Sequence, residues 1–307
     1  MEKYTGRQIA ILTDIHGLLE PTEAILADIR ARGITEIYSL GDNIGEGPHP
    51  LEVVTLLEEN GVKSIAGNAE EYVRLGVDPF PYVNKQSCLW TLSKLGEKGI
   101  GIVTLYPRFI ELLVGGKKVG LCHFANDARI HFGEHSTWEY QGHFSATGEV
   151  RDKDASKQFE YTNSEAEKED IKAQITKHGK DDPSMRGMLS VQSEPLFDGQ
   201  LIELFDAIIQ GHVHWKLYDK NDKTKFYTIR AAGMAYRTNP TDSASYVILR
   251  ERADNQGFDL EEILVVYDRE RMVASILNCT NPDKRIRRYT SITPAEIDNF
   301  NKKHGRQ

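Results

Sequence analysis

The chain has 307 residues, which as a soft prior means roughly two domains or one domain with a large insertion, and no apolar run approaches the roughly 18 to 20 residues of a membrane span. With 39% hydrophobic and 27% charged residues the composition is that of an ordinary globular protein. A formal net charge of -8 argues against nonspecific nucleic-acid binding, which needs clustered Lys and Arg, and three scattered cysteines (Cys88, Cys122, Cys279) do not make a disulfide framework.

The N-terminus, "MEKYTGRQIAILTDIHG", reaches a strand within a few residues and lacks a basic segment, an h-region and a small-residue cleavage site, so a cytoplasmic protein is expected. "QIAILT" is a near-continuous apolar run of the kind found in strands buried on both faces. "EPTEAILADIRARG" follows as a helix, with Pro21 suited to the first turn and Gly33 to the C-terminal cap. "EIYSLGDN" repeats the strand. "HPLEVVTLLEENG" repeats the helix, with Leu51, Val54 and Leu57 on one side, and "VKSIAGN" gives a third strand. Three βα units in a row imply a parallel sheet.

After a helical stretch around Asn84 to Leu95 the pattern becomes strand-rich. "RFIELLVGGKKVGLCHF" reads as a β-hairpin with Gly115 and Gly116 in the turn, and "DAIIQGHVHWKLYD", "KFYTIRAA", "ASYVILRE" and "FDLEEILVVYD" read as further strands. Between about Asn126 and Phe205 the chain is polar, aromatic and helix-biased, as expected of an insertion between core strands. The expected organisation is a core of residues 1–125 and 206–280, an insertion of 126–205 forming a cap or lid, and a C-terminal tail of 281–307.

Several polar clusters stand just after apolar strands, where loops at the carboxyl ends of parallel strands form sites: "TDIHG" (Asp14, His16), "GDN" (Asp42, Asn43), "GN" (Asn68) and "GHVH" (His212, His214), with His123 ending a hairpin strand. Each alone has an ordinary reading. Asp42 and Asn68 follow glycines as turn formers do, His123 is a candidate core histidine, and His212 and His214 alternate onto one face of an extended segment.

In combination and in order, the clusters resemble the calcineurin-like metallophosphoesterase superfamily, whose pattern is D-x-H, G-D, G-N-H-D/E, H and G-H-x-H. "IRAAGMAYR" is similar to the segment where small bacterial phosphodiesterases of the YfcE-like branch carry a turn and an Arg. The resemblance implies an α/β (α+β) fold, a four-layer αββα sandwich of two packed mixed sheets with flanking helices, plus the helical insertion. It implies one metal ion held by Asp14, His16, Asp42 and His214, and a second held by Asp42, Asn68, His123 and His212, with Asp42 as the bridge.

Independently of the family, a shared carboxylate suits two divalent ions roughly 3.5 to 4 Å apart, which clamp the attacking and leaving oxygens of a phosphoryl displacement. Imidazole, carboxylate and amide donors without thiolate favour manganese, iron or zinc. Two dications against two aspartates and a bridging hydroxide leave the site about one unit positive, so an acidic protein still attracts a phosphate ester. The hydroxide is the expected nucleophile.

One position departs from the family pattern. Where the motif carries a catalytic histidine this chain has Ala69; the YfcE-like branch also replaces that histidine, and Glu70 is expected to favour the helix N-terminus. Candidate substrate contacts are Asn43, His131, His135, Trp138 and Arg237. The expected activity is a phosphodiesterase or phosphoanhydride hydrolase acting on a small-molecule phosphate ester or nucleotide. Alternatives are a diadenosine polyphosphate hydrolase and a non-catalytic scaffold, and a homo-oligomer is compatible with either.

Overall fold

The computed structural model describes residues 3–75, 84–124, 205–212, 214, 217–219, 225–233, 242–254 and 256–305. The strands are β1 (Tyr4–Leu12), β2 (Glu36–Ser39), β3 (Lys63–Ser64), β4 (Phe109–Val114), β5 (Lys117–Cys122), β6 (Ala207–Gln210), β7 (Leu217–Asp219), β8 (Lys225–Thr228), β9 (Ser243–Arg252) and β10 (Phe258–Val266). The helices are α1 (Leu19–Ala31), α2 (Pro50–Glu59), α3 (Asn68–Leu75), α4 (Lys85–Val103), α5 (Arg269–Asn278), α6 (Arg285–Tyr289) and α7 (Pro294–Lys303). Among the described residues no helix is long and apolar enough to cross a membrane.

Two five-stranded mixed sheets, ordered β10-β9-β1-β2-β3 and β4-β5-β6-β8-β7, with flanking helices, make the expected α+β fold. The chain divides into two compact units. One comprises Met1–Arg7, Pro107–Arg230 and Arg250–Asp259; the other comprises Gln8–Tyr106, Ala231–Leu249 and Leu260–Gln307.

In the second unit the βα units read from the sequence form a parallel ladder, with Ile9 opposite Glu36, Leu12 opposite Ser39 and Tyr38 opposite Lys63. Ile9, Ala10, Ile11 and Leu12 are fully buried, which explains why that strand shows no polar alternation. Full burial of each large aliphatic side chain contributes about 1.5–3 kcal/mol. Two apolar clusters hold the helices. Ile25 and Ile29 of α1, Leu57 of α2 and Met272 and Ile276 of α5 join Leu12 and Tyr246, whereas Val54 of α2, Leu95 and Val103 of α4 join Ile44, Ala66 and Ala69.

Within the stretch expected as a tail, residues 281–305 are folded. Thr293 and Glu296 form a reciprocal capping box at the start of α7, with Pro294 in its first turn, and Ile286 and Tyr289 of α6 enter the larger apolar cluster.

In the first unit, β4 and β5 form the expected antiparallel hairpin, closed by Gly115 (φ 53°) and Gly116 (φ 72°), and β5, β6 and β8 run parallel. Most of the insertion, with His131, His135 and Trp138, lies outside the described residues, as does Arg237.

Candidate functional site

The second unit brings together the ends of β1, β2 and β3. The parallel ladder continues past the strands: Asp14 N–H donates to Gly41 O at 3.0 Å, His16 N–H to Asp42 O at 2.8 Å and Gly17 N–H to Asn43 O at 2.8 Å. These bonds hold Asp14, His16 and Asp42 at φ 51°, 50° and 50°, a left-handed conformation that side chains with a Cβ rarely adopt. Six described non-glycine residues have positive φ, and five of them are expected ligands: these three with His212 and His214. Such strain persists where surrounding bonds over-determine the backbone.

The His212 and His214 expectation is corrected in one respect. They do not alternate along a strand. β6 ends at Gln210, and both residues have left-handed φ (72° and 65°), so they belong to a loop beyond the strand. Within this first unit, Gly211 N–H donates to His123 O at 3.0 Å, and His212 Nδ1 lies 3.2 Å from His123 Nε2 with the rings edge to face. His123 is buried at the end of β5. Two imidazole nitrogens thus face each other across a gap in which the tautomers decide which one donates.

In the second unit, His16 Nε2 is 3.9 Å from Asp14 Oδ1 and 3.7 Å from Asp42 Oδ2. The glycines of the G-D and G-N motifs permit this crowding. A Cβ at Gly41 would stand 2.3 Å from Gly67 N, and one at Gly67 would stand 2.3 Å from Asp42 Oδ1. Two buried carboxylates, each within 3.9 Å of the His16 imidazole along this edge, make a hard-oxygen and nitrogen donor set that fits a divalent metal ion.

Their electrostatics point the same way. Burial pushes the Asp42 carboxyl well above its usual range; His16 counters this, and Glu70 and Asp14 add to it. Burial alone would lower the His16 imidazole, but the adjoining Glu46, Asp42 and Asp14 push it up to about 9. Glu46 Oε2 lies 3.0 Å from His16 Nδ1, and His16 together with Arg285 holds the Glu46 carboxyl well below the ordinary carboxylate range against the opposing effect of burial.

Glu70 does more than favour a helix terminus. Its carboxylate accepts N–H bonds from Asp42 (2.9 Å), Asn43 (2.9 Å), Ile44 (3.3 Å) and Gly67 (2.8 Å), tying the G-D loop to the G-N loop. Asp42 Oδ1 in turn accepts the Ala69 N–H at 2.8 Å, and the Asn68 amide nitrogen donates to the Tyr72 hydroxyl at 3.1 Å. Asn43 is fully buried, its Oδ1 accepting from the Ser39 hydroxyl, while its Nδ2 has no hydrogen-bond partner among the described residues.

Ala69 is not an open vacancy beside these ligands. It is 5% exposed and packs in the apolar cluster with Ile44, Leu95 and Val103, because the first turn of α3 aims its N–H at Asp42 and its methyl into the core. Glu46 escaped the sequence reading, and Glu70 was read only as a helix-terminus residue; the glycines on both sides of Glu46 were the signal that could have singled it out.

Residues 7–216 match the calcineurin-like phosphoesterase family. The chain belongs to that family. An uncharacterized protein of Methanocaldococcus jannaschii is 37% identical over 118 residues, which are 38% of this chain and 48% of that protein. The match therefore spans about half of the relative's length. Among solved structures, a hypothetical protein from Pyrococcus horikoshii aligns with a TM-score of 0.57 at 14% identity over 91% of this chain and 96% of the other. A metallophosphoesterase from Sphaerobacter thermophilus aligns with a TM-score of 0.54 at 20% identity over 93% of this chain and 98% of the other. At these identities the two structures show a shared fold and nothing finer.

Proposed function

We propose that this chain is a binuclear metal-dependent phosphoesterase that hydrolyses a phosphodiester or phosphoanhydride in a small-molecule or nucleotide substrate. The observation that carries the reading is the buried, left-handed cluster of Asp14, His16 and Asp42 at the ends of adjacent parallel strands, in a chain of the calcineurin-like family. Asp14, His16, Asp42 and His214 would hold one ion, and Asp42, Asn68, His123 and His212 the other, each being manganese, iron or zinc. When bound, such ions supply a water acidified toward neutrality and neutralise the phosphoryl oxygens.

The protein's own part is positioning. Ala69 N–H engages one oxygen of Asp42, and the other faces His16, so the carboxylate is oriented for the shared role. Tyr72 takes the Asn68 amide N–H, which supports the amide oxygen as the ligand atom. The buried Asn43 Nδ2, without a hydrogen-bond partner among the described residues, supports a role for Asn43 as a donor to a phosphoryl oxygen. Substrate selection is proposed to come from segment 126–205, through His131, His135 and Trp138, and from Arg237. The alanine at position 69 supports placement near the YfcE-like phosphodiesterases.

The test is elemental analysis after manganese loading, paired with hydrolysis of bis(p-nitrophenyl) phosphate. Two ions per chain and manganese-dependent hydrolysis are expected. At most one ion at saturation would refute the bridging role of Asp42, and two ions without hydrolysis of any diester or nucleotide would favour the scaffold alternative.

A further inference from the structure

The G-E-G loop that follows the G-D motif wraps around His16. A Cβ at Gly45 would stand 2.7 Å from His16 Nδ1, and one at Gly47 would stand 2.0 Å from His16 O, so only glycines let this loop lie against the histidine. Gly47 N–H also donates to His16 O at 2.8 Å. Glu46, between the two glycines, is thereby brought to 3.0 Å from His16 Nδ1, while His16 Nε2 faces the carboxylates of Asp14 and Asp42.

Glu46 is itself held from the far end of the chain. Its Oε1 accepts from Arg285 Nη2 at 3.0 Å, and its backbone oxygen accepts from Asn281 Nδ2 at 3.3 Å. Arg285 is braced in turn: its Nε donates to Asp283 Oδ2 at 2.8 Å and its backbone N–H to Asp283 Oδ1 at 2.9 Å. Asp283 N–H donates to Asn281 Oδ1 at 3.0 Å, and Asn281 and Asp283 are buried although Arg285 reaches the surface. All of 281–285 lies outside the residues that match the family.

We infer that Arg285 is a positioning residue for the candidate centre, acting through Glu46 to set the ring of His16. The inference rests on the proposed metal-binding role of His16. A carboxylate on the distal nitrogen of a ligating imidazole fixes the ring orientation and the tautomer that leaves Nε2 as the donor atom, and loss of such a partner typically costs about 10- to 100-fold in metal affinity. Left alone, the Glu46 side chain has several rotamers. The Arg285 guanidinium, a planar fork anchored on Asp283, selects the one that meets His16, and a lysine ammonium cannot bridge the two carboxylates in the same way.

The test is a double-mutant cycle on the full chain, with Mn2+ affinity measured by calorimetry and folding checked by thermal melting. Arg285→Met and Glu46→Ala should each weaken Mn2+ binding by about tenfold or more, and Arg285→Lys should recover part of the loss. In the Glu46→Ala background, Arg285→Met should change the affinity by less than about twofold, because the residue acts through the carboxylate already removed. Affinity unchanged in Arg285→Met, or losses that multiply in the double variant, would overturn the inference while leaving the metal site standing. A wild-type chain that takes up no Mn2+ would sink the metal-site reading and this inference with it. If the methionine variant does not fold, the same comparison is made with Arg285→Lys in the two backgrounds.

Discussion

Glu70 Oε2 accepts the backbone N–H of Asp42 at 2.9 Å, across 28 positions of sequence. With its bonds from Asn43, Ile44 and Gly67, this one carboxylate fixes the loop after β2 against the loop after β3. The position of Asp42 is therefore set by a side chain that would not itself touch a metal ion.

Replacing Glu70 with Ala strands several buried N–H groups. Each buried donor left unsatisfied costs about 1–3 kcal/mol, and partial rescue by water reduces the sum, so a loss of about 2–4 kcal/mol in urea unfolding is expected. Glu70→Gln, which keeps one acceptor oxygen, should fall between. An unchanged unfolding midpoint for Glu70→Ala would refute the clamp.

Gly67→Ala tests the crowding beside Asp42. Its Cβ would stand 2.3 Å from Asp42 Oδ1 and 2.4 Å from Asp42 N, so the carboxylate or the loop must shift. Mn2+ affinity should drop by about tenfold or more with a smaller effect on melting temperature. Affinity equal to wild type would mean that Asp42 is not held where the proposed centre needs it.

Ala69→His should not restore a general acid. The methyl group lies in the apolar cluster with Leu95 and Val103, so an imidazole there overpacks the core, at about 1–3 kcal/mol. Rates should remain steeply dependent on leaving-group pKa across aryl phosphodiesters in both proteins, since a missing acid typically costs about a hundredfold or more. A stable variant with a flattened dependence would contradict the inward orientation of position 69.

The chelator-treated protein should lose stability as pH rises. His16 has a folded-state value pushed up to about 9 against about 6.5 when unfolded, so its contribution is complete below about pH 6.5 and is lost as pH rises toward 9. The raised Asp42 carboxyl acts in the same direction. For the fully buried His16 the change is on the order of 3 kcal/mol. Glu46→Ala should flatten this limb of the stability profile, and an equally steep limb in that variant would separate the titration from the His16–Glu46 contact.

Local pattern and motif order carried much of this protein. The apolar run Ile9–Leu12 announced a strand buried on both faces, Pro21 and Gly33 marked the two ends of α1, and Gly115-Gly116 marked the hairpin turn, because these signals depend on neighbours within a few residues. The Thr293-Pro294-Ala295-Glu296 cap was equally local, and it stood in the stretch expected as a tail. What periodicity does not encode is which distant group meets a loop. The left-handed backbone of Asp14, His16 and Asp42 follows from hydrogen bonds between strand ends, and that of His212 and His214 replaces an expected strand. The inward turn of Ala69 follows from the docking of α3 against α4. Glu46 meets Arg285 across 239 positions, a pairing of opposite charges that any of many acidic and basic residues could have made in the unfolded chain and that only the packing of 281–286 against the G-E-G loop selects.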